Sequence, residues 1–188
     1  MPISRAARLC PRGTFLPVDM AKYQRESRRI MAILTAFSPE VEQISVDEAF
    51  VELTGTESLF GPAESAARSM KERIRRETGL TASAGVASNK FVAKVASDLR
   101  KPDGLVVVPP GGEAGFLAPL SVSHVWGVGR VMTQELEGLG IRTIADLQRI
   151  PVSRLARRFG QHGLHLHDLA FGRDDRAVTA DPEAKSLG

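Results

Sequence analysis

Pro109-Pro110-Gly111-Gly112 divides this chain into two parts that obey different rules. Before it, short apolar runs rich in β-branched residues alternate with amphipathic helical segments. After it the strand signals vanish and only short helical periodicities remain. Two prolines followed by two glycines fit neither a helix interior nor a central strand, so they mark a boundary between a mixed part and an all-helical part. In the mixed part the order helix, strand, strand, helix, strand, helix, strand predicts an α/β sandwich, a sheet with helices packed on one face.

The elements follow from local chemistry. Pro2 to Cys10 reads as a short helix stopped by Pro11 and Gly13, and Thr14 to Pro17 as a short extended stretch. From Asp19, a candidate N-cap, a helix to about Phe37 places Tyr23, Ile30, Leu34 and Phe37 on one face. Two strands follow around residues 41–55. A helix from about Pro62 to Thr78 turns Ala63, Ala66, Met70 and Ile74 inward and Arg68, Lys71, Arg75 and Arg76 outward, and Gly79 closes it. Leu80 to Val86 reads as a strand, Ser88 as the cap of a helix running from Asn89 to Arg100, and Leu105 to Val108 as a strand after the Pro102-Asp103-Gly104 turn. In the helical part, Trp126-Gly127-Val128-Gly129-Arg130 leads into a helix that ends at Gly138-Leu139-Gly140-Ile141. Thr143 and Asp146 then form a capping-box pattern. Residues 173–188 are charged and Pro-containing, the composition of a linker.

Charge is distributed unevenly. From Val41 to Gly61 the chain carries Glu42, Asp47, Glu48, Glu52 and Glu57 and no Lys or Arg, whereas the flanks are rich in both. Carboxylates that hold a divalent cation, with basic surfaces around them for phosphates, give such a pattern. Asp47 and Glu48 are adjacent, and adjacent strand residues point to opposite faces, so they can share one ion only where a turn or bulge breaks the alternation. The alternative is an acidic pair solvated at a strand end. The overall charge of +3 and pI near 9.3 hint weakly at a polyanionic partner. Cys10 is the sole cysteine, which excludes an internal disulfide and a zinc site built on cysteines and fits a reducing cytoplasm. No apolar stretch approaches the roughly 18 residues that a bilayer crossing needs, so no membrane association is expected. His162, His165 and His167 lie close together with only Asp168 nearby, and they read as surface or core histidines rather than a metal site.

Taken together, several segments resemble the Y-family DNA polymerases of the DinB or polymerase IV branch. They are Met1-Pro2 with Leu9-Cys10-Pro11, Tyr23, Ser45-Val46-Asp47-Glu48-Ala49-Phe50, Ser83-Ala84-Gly85-Val86-Ala87-Ser88-Asn89-Lys90, Ala93-Lys94-Val95-Ala96-Ser97, Lys101-Pro102-Asp103-Gly104 and Trp126-Gly127-Val128-Gly129. The resemblance implies an α/β (α+β) palm with a ferredoxin-like sheet and helices on one face, then a small all-α helix-hairpin-helix thumb. Residues 1–18 would be a remnant of the fingers, 19–108 the palm, 109–172 the thumb, and 173–188 a linker toward a little-finger domain. The implied activity is that of a DNA-directed DNA polymerase of the translesion and DNA-repair type, a nucleotidyltransferase that binds damaged DNA. It would work on primer-template DNA and deoxynucleoside triphosphates with two Mg²⁺ ions. Asp47 and Glu48 would be the catalytic metal ligands and Lys101 the residue that meets the triphosphate. The alternative for Lys101, a cation favouring the end of its own helix, is a role it could fill at the same time. Gly127, Val128, Gly129 and Arg130 would hold DNA through the hairpin, with Lys90 and Lys94 as further DNA-contacting cations; a solvated lysine on a helix face is the alternative for both. Trp126 is taken as core.

The chain departs from the pattern at both ends. The family's first palm strand, with its further metal-binding Asp, its steric-gate residue and its triphosphate-contacting Tyr and Arg, is not seen, nor is the little finger with the sliding-clamp motif beyond it. The chain alone is therefore expected to be inactive and to meet a clamp only through a segment it lacks; it is also expected to be monomeric and cytoplasmic. A non-catalytic DNA-binding module is the alternative. A nuclease would need a third acid, and Glu52, five positions along from Asp47, reads as solvated.

Overall fold

The computed structural model describes residues 1–180. Helices α1 (Ile3–Leu9) and α2 (Met20–Thr35) come first, and the Asp19 side chain caps α2 by accepting from the Lys22 amide. Strands β1 (Val41–Gln43) and β2 (Ala49–Val51) follow, then α3 (Glu57–Phe60), α4 (Ala63–Thr78), β3 (Ala84–Val86), α5 (Lys90–Leu99) and β4 (Leu105–Val107). The helical part holds α6 (Glu113–Leu117), a 3₁₀ turn (Val122–His124), α7 (Arg130–Gly138), α8 (Ile144–Gln148), α9 (Val152–Phe159) and α10 (Gln161–Ala170). Among the described residues no helix is long and apolar enough to cross a membrane.

The mixed α/β class and the succession of elements agree with the sequence patterns, but the strands do not form one continuous ferredoxin-like sheet. β1 and β2 pair antiparallel with Glu42 opposite Phe50, and β3 and β4 pair parallel with Gly85 opposite Val106. Each pair is a separate two-stranded sheet. A cavity of about 860 Å³ takes residues of β2 and of β3 into its wall, so these two strands face open space instead of each other.

Local differences have local causes. The strand expected from Leu80 begins only at Ala84, and Thr14 to Pro17 joins no sheet. Asn89, not Ser88, caps α5 by accepting from the Val92 amide, while the Ser88 hydroxyl donates to Glu113. Tyr23 is half exposed, and the buried positions of α2 are Ser27, Ile33 and Leu34. Lys71 does not turn outward: its ammonium folds back onto the Asp103 carboxylate and the carbonyls of Ala82 and Gly104.

Apolar packing forms two clusters. One joins Ile33, Leu34 and Phe37 to Met70 and Ile74, binding α2 to α4. The larger joins Phe91, Val92, Val95 and Ala96 of α5 to Val108, Leu136, Ile144, Leu166 and Leu169. The helix α5 thus packs on β3 with one face and joins the core of the helical part with another.

Gly85 is where α5 meets β3. A Cβ there would stand 2.6 Å from the Ser97 amide nitrogen and 2.8 Å from the Ala96 Cβ, and would collide with the Ala93 carbonyl. Backbone cannot yield as a flexible side chain can, so Gly85→Ala should push α5 off the strand and lower stability by about 2–3 kcal/mol. Thermal unfolding should show this as a drop of about 5–10 °C; a drop under about 2 °C would mean that the crossing is loose.

Residues 173–180 do not behave as a free linker. Asn89 donates to the Gly172 carbonyl at 2.7 Å, the Phe91 amide donates to Asp174 at 3.0 Å, and the Thr179 amide donates to Glu42 at 3.0 Å. The Arg176 guanidinium lies over the Trp126 ring at 4.2 Å while pairing with Asp174. Of the charges that suggested a solvated linker, Arg173 pairs with Asp168 of α10, Asp174 accepts from α5, and Arg176 lies on Trp126. Residues 181–188 of the expected linker lie outside the described residues.

Candidate active site and nucleic-acid interface

The turn between β1 and β2 presents the acidic pair. The amides of Ile44 and Ser45 both donate to the Glu48 carbonyl, at 3.0 and 3.2 Å, so two residues on one side oppose one on the other. This is the break in alternation that lets neighbouring carboxylates serve one place. The Ser45 hydroxyl donates to Asp47 Oδ1 at 2.7 Å and fixes that carboxylate. Asp47 is exposed, Glu48 is half-buried, and both line the cavity.

Lys94 Nζ donates to Glu48 Oε1 at 2.8 Å and to Asp98 Oδ2 at 2.9 Å. Burial pulls the Lys94 ammonium down, but the hydrogen bonds it donates to these two carboxylates outweigh it and leave its pKa raised. Burial likewise pushes the Asp98 carboxyl up, and Lys101 and Lys94 together bring it below its ordinary value. Lys101 pairs with Asp98 Oδ1 at 2.6 Å and stands at the cavity rim.

The donor set suits a hard cation. Asp47 and Glu48 offer carboxylate oxygens, and Glu48 Oε2 accepts no hydrogen bond among the described residues. Mg²⁺ is commonly held by one or two carboxylates and completes its six positions with water and phosphate oxygens. Among the described residues no three His, Cys, Asp or Glu side chains converge on one point. Glu52 is exposed, and its carboxyl is drawn below its ordinary value chiefly by the Thr54 hydroxyl, with the Thr54 amide beside it.

Lys90 departs from its expected place. Its ammonium is buried, 2.5 Å from Glu42 Oε2, 3.1 Å from the Ala177 carbonyl and 5.2 Å from the centre of the Phe50 ring. A buried ammonium saturated by such partners is not presented to a polyanion, so its DNA-contact role is corrected to that of an internal counter-ion. His162, His165 and His167 follow one another along α10; His167 stacks on Phe171, and its Nδ1 accepts from the Arg173 guanidinium at 3.2 Å.

The glycine hairpin lies between the 3₁₀ turn and α7. Gly127 has φ 85°, a conformation that L side chains rarely adopt, and buried Val128 pins the tip between exposed Gly127 and Gly129. Neither the Gly127 nor the Gly129 amide donates to a protein acceptor among the described residues, and Arg130 opens α7 beside them. Unspent amides next to a helix N-terminus suit a phosphate oxygen. Trp126 is half-buried between Phe50 and Arg176, an anchor and not an open stacking platform. The Thr143–Asp146 capping box forms as its pattern predicts.

Sequence patterns missed Asp98 and the 172–179 contacts. The i, i+4 and i+7 spacing of Lys94, Asp98 and Lys101 would have disclosed the first; the second had no signal short of the fold.

Comparison with known proteins gives one consistent result. The profile of the impB/mucB/samB family matches residues 1–98, and that described as the DNA polymerase-iota thumb domain matches residues 124–174. The DNA polymerase IV of Desulfatibacillum aliphaticivorans is 46% identical over all 188 residues, which cover 48% of that protein. That of Methanoculleus marisnigri is 45% identical over 187 residues, covering 52% of it. The chain thus spans about half the length of the curated relatives it matches. Among solved structures, DinB from Sulfolobus solfataricus has a TM-score of 0.86 at 32% identity, covering 95% of this chain and 53% of that one. An insertion ternary complex of Dbh DNA polymerase gives 0.84 at 32% identity, covering 95% and 52%.

Proposed function

The chain belongs to the impB/mucB/samB family of Y-family DNA polymerases, and from that premise we propose that it carries the nucleotidyl-transfer centre of a translesion DNA polymerase. The observation behind this reading is that Asp47, Glu48, Lys94 and Lys101, far apart in sequence, line one cavity. Residues 1–18 correspond to fingers, 19–108 to palm and 109–172 to thumb.

In the reaction the primer 3′ oxygen attacks the α-phosphorus of a deoxynucleoside triphosphate and pyrophosphate leaves. Two bound Mg²⁺ ions would neutralise charge on the attacking and leaving oxygens, and Asp47 and Glu48 would hold them. Lys101 contributes a cation at the rim, where the triphosphate tail enters, complementary to the charge that grows on the leaving group. The Gly127 and Gly129 amides grip a DNA phosphate without reading sequence, and Arg130 adds charge. Among the described residues no third carboxylate joins Asp47 and Glu48 to complete two cation sites, so the chain by itself is expected to bind DNA but not to extend it.

The experiment is primer extension with Mg²⁺ and four deoxynucleotides. It compares the chain with the same chain completed by the flanking segments of the Desulfatibacillum relative, hereafter the completed protein. Extension by the completed protein supports the reading. Salt-sensitive DNA binding without extension by either protein would favour a non-catalytic DNA-binding module, a reading that rests on the intact hairpin.

A further inference from the structure

Four side chains of alternating charge run from the acidic turn to the rim of the cavity. Glu48 Oε1 accepts from Lys94 at 2.8 Å, Lys94 donates to Asp98 Oδ2 at 2.9 Å, and Asp98 Oδ1 meets Lys101 at 2.6 Å. Asp98 therefore spends one oxygen on each of two lysines that serve different ends of the site. The spacing of Lys94, Asp98 and Lys101 puts them along one face of α5 and just past its end. The Asp98 and Lys101 side chains are 37% and 54% exposed, and ion pairs so open to water add little to folding. What the line does fix is position.

We propose that Asp98 is a positioning residue that couples the metal-holding end of the site to its triphosphate end; this rests on the roles read above for Glu48 and Lys101. Asp98 draws Lys94 toward itself, so that Lys94 covers a single oxygen of Glu48 and leaves Oε2 open to a cation. It also tethers Lys101 at the rim until a triphosphate, the stronger anion, takes over the ammonium. Without the Asp98 charge, Lys94 has Glu48 as its remaining carboxylate partner and competes for it with a divalent cation. Lys101 is then unrestrained, and ordering it falls on nucleotide binding.

The test uses Asp98→Asn, nearly isosteric but neutral, and Asp98→Glu, both in the completed protein. Asp98→Asn should raise KM for deoxynucleotides and the Mg²⁺ concentration for half-maximal rate, each about tenfold, as expected for a lost charge-assisted contact. The kcat at saturation should stay within about threefold, and Asp98→Glu should recover part of both losses. In a Lys101→Ala background Asp98→Asn should have no further effect on the nucleotide KM, because the tethered group is gone. A purely structural role would lower kcat and the unfolding temperature alike in both backgrounds, and that result would overturn the proposal. A second readout needs no turnover: Mn²⁺ titration followed by the spin resonance of the free ion, with Glu48→Gln as reference. Weakening by both Asp98→Asn and Glu48→Gln supports the coupling even if the completed protein extends no primer, in which case only the polymerase reading falls. Weakening by Glu48→Gln alone overturns it.

Discussion

Asp47→Asn should reduce primer extension by the completed protein about 10³-fold or more while leaving thermal unfolding unchanged within about 1 °C. The separation of the two effects comes from the turn. Asp47 is exposed, and its side chain bonds only within its own loop, to the Ser45 hydroxyl, so nothing in the core depends on its charge. Asparagine keeps an oxygen that can accept from Ser45, and the backbone amide of residue 47 keeps its bond to the same hydroxyl. What disappears is an anionic oxygen at a place where a divalent cation must be held against a polyanionic substrate. Members of a catalytic set act as a unit, and losing one typically costs most of what the set supplies. Ser45→Ala is the control: it frees the carboxylate to rotate without removing its charge and should cost far less, about tenfold. Rates measured at saturating nucleotide across a Mg²⁺ series would decide the matter. Retention of more than a tenth of the rate by Asp47→Asn would remove Asp47 from the metal site.

The acidic turn was legible because its signal is local. An Asp-Glu pair between two apolar runs can share one target only through a broken alternation, and the doubled amide contact to the Glu48 carbonyl is that break. The Thr143–Asp146 cap and the Gly127 hairpin were legible for the same reason, since caps and tight turns are chosen by a few neighbouring residues. What sequence could not give depends on tertiary closure. Lys90 and Lys94 lie four apart on one helix and read alike, yet one is buried against Glu42 and the other reaches Glu48, because the helix is half inserted between the β1–β2 hairpin and the helical part. The division of the strands into two pairs also escaped, since strand propensity says which residues extend but not which edges meet. The charged stretch after Gly172 looked solvated because the partners of Asp174 and Arg176, the Phe91 amide and the Trp126 ring, lie some 50 to 80 positions earlier.

Lys90→Met should destabilise the chain by about 3–5 kcal/mol at pH 7, the largest stability effect expected of a single side chain here. Lys90 and Glu42 side chains are 9% and 12% exposed, and methionine fills the space of the lysine stem while leaving the carboxylate without its cation. That loss corresponds to about 10 °C in the unfolding temperature of a protein this size. Glu42→Gln in the same chain should restore most of it, because the penalty lies in the stranded charge and the amide can still accept from the Thr179 amide. The pH dependence fixes the cause. Burial pushes the Glu42 carboxyl up, but the Lys90 ammonium and the Thr179 amide outweigh burial and hold it below its ordinary value. A carboxyl depressed by folding contributes stability above its unfolded range, near pH 4.3, and loses that contribution as pH falls through its folded value. In Lys90→Met the balance reverses: the unpaired carboxyl is raised, and the variant gains relative to the parent by taking up a proton. The gap between the two proteins should therefore narrow as the pH falls from 7 to 4. A gap that stays constant, or a double variant as unstable as Lys90→Met, would refute the buried pair. DNA binding supplies an independent check on the corrected role. A lysine that neutralises a phosphate steepens the salt dependence of binding by close to one unit of log–log slope, whereas Lys90→Met, assayed below its unfolding temperature, should leave that slope where it was.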